Sequence, residues 1–177
     1  MPYLAICSLA RIAETARRHS PSHMLTVISG NPAIDRPTAI GADNHLRLDM
    51  NDIGVDTPGL ITPGEAHVRQ IIDFAQRWDR ASPLLIHCFA GVSRSTASAY
   101  AIALALDPDR DEAELARELR LRSPTATPNP KIVAIADDLL GRGGRMVDAI
   151  GVIGRGADCF EGTPFVLPLS DDHAHIM

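Results

Sequence analysis

The sequence predicts an α/β domain with a central, mostly parallel sheet flanked by helices. Three observations carry this. Short apolar, β-branched runs alternate along the chain with segments of helical periodicity. One run, Leu84–His87, is apolar up to its last residue, as expected of a central strand buried on both faces. The 177 residues, 45% hydrophobic and 22% charged, suffice for one domain with a full core. Residues 1–177 are therefore read as a single domain, without internal repeats or low-complexity tracts.

Taken in order, Tyr3–Cys7 reads as the first strand. Ser8 then caps a helix to about His19, with Leu9, Ile12, Ala13 and Ala16 on one face. Met24–Ser29 is a second apolar, β-branched run, and His45–Asp49 a short third strand. Between them Gly30–Asn44, rich in Pro, Asp and Asn, is a loop, and Met50–Ile61 is another. Thr62-Pro63-Gly64-Glu65 combines an N-cap, a proline at the first helical position and a capping-box glutamate. Behind it Val68, Ile71, Ile72, Ala75 and Trp78 recur at helical spacing, until Ser82-Pro83 breaks the chain before Leu84–His87. Arg94–Leu106 has the small apolar composition of a buried helix. Asp111 and Glu114 form a capping pair for a helix carrying Leu115 and Leu119. The loop SPTATPNP precedes a helix from about Lys131 to Leu140, closed by Gly141, and 143–154 forms one more helix. The tail from Arg155 is punctuated by Gly and Pro and ends DDHAHIM, with no strand or helix assigned to it; Phe160 and Phe165 are expected to dock on the body.

Composition narrows the function. The net charge of −5 argues against sequence-independent nucleic-acid binding, which needs a basic face. The three cysteines, Cys7, Cys88 and Cys159, contain no Cys-x-x-Cys pair, so a disulfide scaffold or zinc site is not expected and a reducing compartment is. No basic leader precedes the first apolar run, and no apolar stretch approaches the roughly 18 residues of a membrane span. The expectation is a cytoplasmic protein with no membrane partner. His173 and His175 are read as a solvated terminus rather than metal ligands, and no cofactor is implied.

The chemistry is concentrated in LLIHCFAGVSRST, Leu84–Thr96, which runs strand, tight loop, helix with Cys88 and Arg94 in a Cys-x5-Arg spacing. A loop of this length can curl until successive backbone N–H groups of Phe89, Ala90, Gly91, Val92 and Ser93 face inward. Such a nest, at the positive end of a helix dipole, binds a tetrahedral oxyanion such as phosphate. Gly91 permits the turn, and the planar fork of Arg94 grips two oxygens in a way that lysine cannot. The same field favours the thiolate of Cys88; environments of this kind bring a cysteine from about 8.5 to roughly 3.5–7.5. A thiolate beneath a bound phosphate is placed for in-line attack on phosphorus.

HCFAGVSRS resembles the signature of the cysteine-dependent protein tyrosine phosphatases, in the His-Cys-x-x-Gly-x-Ser-Arg-Ser form of the dual-specificity branch. The resemblance is traceable over about residues 24–140; residues 141–177, a C-terminal helix and tail, carry no matching motif. It implies a protein tyrosine phosphatase-like fold and a phosphomonoester hydrolase that works without metal through a phosphocysteine. Cys88 would be the nucleophile, Arg94 the phosphate ligand, Ser95 the donor to the departing thiolate, and His87 a support for the loop that tunes the thiol. The family takes its general acid from a loop about 30–40 residues before the cysteine. Asp49, Asp52 and Asp56 lie 39, 36 and 32 residues before Cys88, and Asp52, in a Met-Asn-Asp-Ile turn just past the third strand, is favoured. SPTATPNPKIV resembles the family's Pro-Asn turn, in which Asn129 either bonds to the phosphate loop or simply caps the following helix.

The helix STASAYAIALAL lacks the β-branched run common in dual-specificity members, which points to a divergent, bacterial branch. The loop also lacks the basic residues of phosphoinositide-directed relatives, so a phosphorylated protein or small phosphomonoester is the expected substrate. Two other readings use the same residues: another thiolate oxyanion enzyme (arsenate reductase or sulfurtransferase), and a silent phospho-binding module.

Overall fold

The computed structural model describes residues 2–169, in which five strands form one sheet. The strands are β1 (Tyr3–Ser8), β2 (His23–Ile28), β3 (His45–Asp49), β4 (Leu84–Cys88) and β5 (Phe165–Pro168), in spatial order β3-β2-β4-β1-β5. β4 pairs parallel with β1 and β2, β2 pairs parallel with β3, and only β5 runs antiparallel, along the outer edge of β1. The helices are α1 (Ile12–His19), α2 (Glu65–Arg77), α3 (Arg94–Leu106), α4 (Glu112–Arg122), α5 (Pro130–Leu139) and α6 (Arg145–Ile153). The α/β class with a mostly parallel sheet is thus observed.

Strand alternation divides the core unequally. Leu4, Ile6, Leu25, Val27, Leu84, Ile86 and Cys88 face the large apolar cluster beneath α2–α6. Ala5, Cys7, Met24 and Leu85 face a smaller one beneath α1, closed by Ile12 and Ile40. α3 lies against β4 and is flanked by α2 and α5; its alanines at 97, 99, 101 and 103 are fully buried, giving a slim helix at the middle of the fold. The all-buried strand β4 therefore delivers Cys88 into the large cluster's edge, where α3 begins.

Four expectations about local structure are corrected. Ser8 does not cap α1: its hydroxyl donates to Glu161 (2.9 Å), and a 3-10 turn, Leu9–Arg11, precedes the helix. α2 begins at Glu65 after Gly64, whose N–H donates to the His67 ring (3.0 Å), so the Thr62-Pro63 cap lies outside the helix. The tail contains a strand, β5. Its sequence PFVLP reads as irregular because of the prolines, which an edge strand tolerates where no ladder donor is required. Phe165 is half-buried in that strand, but Phe160 is 86% exposed and does not dock. Asp111 caps α4 as expected, accepting from the Glu114 N–H at 2.8 Å. His173 and His175 lie outside the described residues.

Candidate active site

Cys88 ends β4 and Arg94 opens α3, so residues 89–93 must turn the chain within five residues. The loop is built by pulling its carbonyls outward. Phe89 O accepts from Leu9 N–H (3.1 Å) and Ala90 O from Gly162 N–H (2.9 Å). Val92 O accepts from Thr127 N–H (2.9 Å) and the Thr96 hydroxyl (2.6 Å). Ser93 O accepts from Asn129 N–H (3.2 Å) and from Thr96 (3.0 Å). In a trans peptide the C=O and the following N–H point in opposite directions, and the chain has no cis bond among the described residues. The N–H groups of Ala90, Gly91, Ser93 and Arg94, on the opposite edges of these peptides, therefore point away from those donors, as an anion nest would require. Thr96, Thr127, Leu9 and Gly162 were not legible as site residues: three act through positions far away in sequence, and only Thr96 lies at a spacing that could have revealed it.

Cys88 is 2% exposed; its sulfur accepts from Gly91 N–H at 3.3 Å and lies 3.1 Å from the Ser95 hydroxyl. Gly91 has φ +72°, and a Cβ there would sit 2.7 Å from the Cys7 carbonyl carbon and 2.8 Å from Ser8 N. The glycine is required twice, by the turn and by the close approach to β1. Gly91→Ala is expected to lower the thermal midpoint by roughly 5 °C or more, since the left-handed backbone alone costs about 1–3 kcal/mol. A midpoint equal to wild type, measured by circular dichroism, would contradict this packing.

Arg94 is 6% exposed. Its Nη1 donates to Met50 O (2.7 Å) and weakly to Ser29 Oγ (3.4 Å), which ties the guanidinium to the loop after β3. Its Nε is buried with no acceptor, and no carboxylate forms an ion pair with it among the described residues. A buried cation without a counter-charge is costly in isolation, and a bound oxyanion would supply both the charge and the missing acceptor.

Asp52 is exposed at the rim, and its Oδ1 accepts from the Ser93 hydroxyl (2.7 Å) and Asn129 Nδ2 (2.8 Å). Its Oδ2 makes no hydrogen bond. Asn51 closes the base of this loop, its Oδ1 accepting from Ile61 N–H (2.8 Å) while its N–H donates to Ile61 O (2.7 Å). Asp49 and Asp56 are also exposed, and their carboxylates bond to no residue of the Cys88–Arg94 loop. Asn129, 2% exposed, serves both suggested purposes. Oδ1 caps α5 by accepting from Lys131 N–H (3.0 Å) and Ile132 N–H (3.1 Å), while Nδ2 reaches Asp52 and its N–H holds Ser93 O. It thus connects the Asp52 loop to the Cys88–Arg94 loop.

His87 points to the opposite face from Cys88. Its Nδ1 lies 3.1 Å from Cys88 O, which can only accept, so Nδ1 carries the proton and Nε2 accepts from the Thr26 hydroxyl (2.7 Å). Thr26 in turn receives a hydrogen bond from His45 Nε2 at 2.8 Å. Burial pushes His87 down to about 4, so the ring is neutral at physiological pH. The unfolded chain takes up this proton first on acidification. Stability tied to His87 is therefore complete above about pH 6.5 and is lost progressively as the pH falls toward 4. Urea unfolding between pH 7 and pH 4 is expected to show an acid-side loss smaller in His87→Gln than in wild type, by an amount on the order of 3 kcal/mol. Equal losses in the two proteins would remove His87 from this role.

Among the described residues no helix is long and apolar enough to cross a membrane, and no group of His, Cys, Asp and Glu could hold a metal ion. All three cysteines are free, Cys159 exposed and the other two buried.

No protein-family model and no curated protein sequence matches the chain. Solved structures do. DUSP15 superposes with a TM-score of 0.58 at 19% identity, covering 86% of this chain and 92% of its own. The chain has the dual-specificity phosphatase fold. PTP-2 phosphatase of Cydia pomonella gives a TM-score of 0.59 at 16% identity over 75% of this chain and 83% of that one. PTPMT1, solved in complex with PI(5)P, gives 0.58 at 14% identity over 77% and 89%. Within this phosphatase fold, the strand–loop–helix at Cys88 is the element from which the chemistry can be argued.

Proposed function

We propose that the protein is a phosphomonoester hydrolase that acts without metal through a phosphocysteine, on phosphotyrosine and other phosphorylated residues of proteins. One observation supports the reading: the Cys88 sulfur, the Arg94 guanidinium, without an ion-pair partner among the described residues, and the Asp52 carboxylate converge on one loop in which the carbonyls of Phe89, Ala90, Val92 and Ser93 are held by hydrogen bonds from other residues.

In the first half-reaction, the Cys88 thiolate attacks phosphorus and the P–O bond to the leaving group breaks. Asp52, protonated on Oδ2, gives that proton to the departing oxygen, while Arg94 and the inward amides hold the equatorial oxygens. In the second, water attacks the phosphocysteine and Asp52 takes its proton. The S–P bond breaks, and the Ser95 hydroxyl donates to the leaving sulfur. His87 and Asn129 position the loop without touching substrate. Nucleophile, cation and acid are all side chains of this chain, so the sequence of steps needs no metal.

The stretch Phe89–Ser93 brings no cation to the rim, which favours a phosphoprotein over the phosphoinositide seen in PTPMT1. Free cysteines suit a reducing compartment, and a cytoplasmic site of action is part of the reading. The test is hydrolysis of an aryl phosphate in the presence of chelator. Turnover that survives chelation and is blocked by vanadate is expected. Phosphopeptide binding without turnover would instead make the chain a silent binding module.

A further inference from the structure

The segment between α6 and β5, residues 154–164, contains no helix or strand, yet it is tied along its length. Gly156 N–H donates to Thr127 Oγ1 (3.1 Å) and Ala157 N–H to Pro124 O (2.9 Å). The Arg120 guanidinium donates to Ile153 O (2.8 Å) and Gly154 O (2.9 Å). At the other end Glu161 Oε1 accepts from the Ser8 hydroxyl (2.9 Å) and Arg11 Nε (3.1 Å).

Between these anchors Gly162 meets the phosphate loop. Its N–H donates to Ala90 O at 2.9 Å, and a Cβ at this position would lie 3.1 Å from Gly91 O and 3.2 Å from Val92 Cγ2. Ala90 O and Gly91 N–H belong to one peptide plane, and that Gly91 N–H donates to the Cys88 sulfur. A single peptide unit thus carries a hydrogen bond from Gly162 on one edge and gives one to Cys88 on the other. Accepting a hydrogen bond at its oxygen polarises an amide and strengthens it as a donor.

We propose that residues 154–164 form a strap that completes the anion site, with Gly162 a positioning residue acting on Cys88 through the Ala90–Gly91 peptide. The proposal rests on the phosphatase reading of that site but makes a separate claim about the sulfur. A side chain at 162 would meet Gly91 O and Val92 Cγ2 tightly enough that the loop must shift by a few tenths of an ångström to admit it. Ser8 and Arg11, through Glu161, hold the strap against the start of the first helical turn.

The experiment uses the full chain and compares wild type with Gly162→Ala and Glu161→Ala, at a temperature where each is folded by circular dichroism. Iodoacetate alkylation at pH 7 is followed at Cys88 by peptide mass spectrometry, with added N-acetylcysteine as the reference thiol, since Cys159 lies within the strap. Vanadate inhibition and kcat/KM on an aryl phosphate are measured alongside. Gly162→Ala is expected to slow Cys88 alkylation relative to the reference thiol at least tenfold, and to weaken vanadate inhibition and kcat/KM by a similar factor. Glu161→Ala, which loosens the strap without crowding the loop, should do the same about threefold. A folded Gly162→Ala protein with unchanged alkylation ratio and vanadate inhibition overturns the proposal. Should that variant not fold, an unchanged Glu161→Ala overturns it and a weakened one supports it. Wild type that neither binds vanadate nor turns over would sink the phosphatase reading instead, while the alkylation ratio would still decide the strap.

Discussion

Replacing Cys88 with serine is expected to abolish phosphate-ester hydrolysis while leaving oxyanion binding in place. The nest is made by backbone amides and Arg94, none of which the substitution alters, and the oxygen of serine occupies less room than sulfur in a 2%-exposed position. A serine hydroxyl at the same point stays protonated, and no side chain beside it is a base: the Ser95 hydroxyl faces the sulfur, while His87 points to the other side of the sheet. Turnover of an aryl phosphate should fall by at least about 10³-fold, the scale on which loss of a nucleophile acts. Inorganic phosphate, titrated calorimetrically, should bind the variant about as well as wild type. Near-wild-type turnover in Cys88→Ser would mean that another group attacks phosphorus.

The second large effect is expected at Asp52, and it should depend on the leaving group. Asparagine can keep both hydrogen bonds that Oδ1 accepts from Ser93 and Asn129, so the rim loop should hold its shape while the ionisable oxygen is lost. An alkyl leaving group must be protonated as it departs, whereas a nitrophenolate leaves unaided. Asp52→Asn should therefore lose roughly 10²–10⁴-fold on an alkyl phosphate or phosphoserine peptide and much less on a nitrophenyl ester. Asp49→Asn and Asp56→Asn, whose carboxylates touch no part of the loop, should lose little on either. If Asp56→Asn showed the leaving-group dependence and Asp52→Asn did not, the acid would be reassigned.

Much of the Cys88–Arg94 segment is legible in the sequence because strand, loop and helix are contiguous there. The apolar run of β4, Gly91 and the onset of α3 are local features, and together they imply an inward-facing loop at a helix N-terminus. The choice among Asp49, Asp52 and Asp56 was open for the opposite reason. Three carboxylates within eight residues are equivalent by spacing, and only the donors from Ser93 and Asn129 distinguish one of them. Asn129 likewise had two readings in sequence: its side chain caps α5 and reaches Asp52, while the bond to the Cys88–Arg94 loop is made by its backbone N–H to Ser93 O.

Local sequence carries the α/β class, the central strand, the helix that follows it, and a thiol and a guanidinium on either side of a five-residue loop. These are set by hydrophobic period, by capping and by backbone freedom at glycine, all of which act over a few residues. Long-range contacts are what bring Asp52 onto Ser93 and Asn129, add PFVLP as an edge strand, and set Leu9, Gly162 and Thr127 on the carbonyls of Phe89, Ala90 and Val92. Those contacts join segments from 35 (Val92 with Thr127) to 165 (Tyr3 with Pro168) residues apart, and a hydrogen bond between two backbone groups leaves no mark in the identity of either residue.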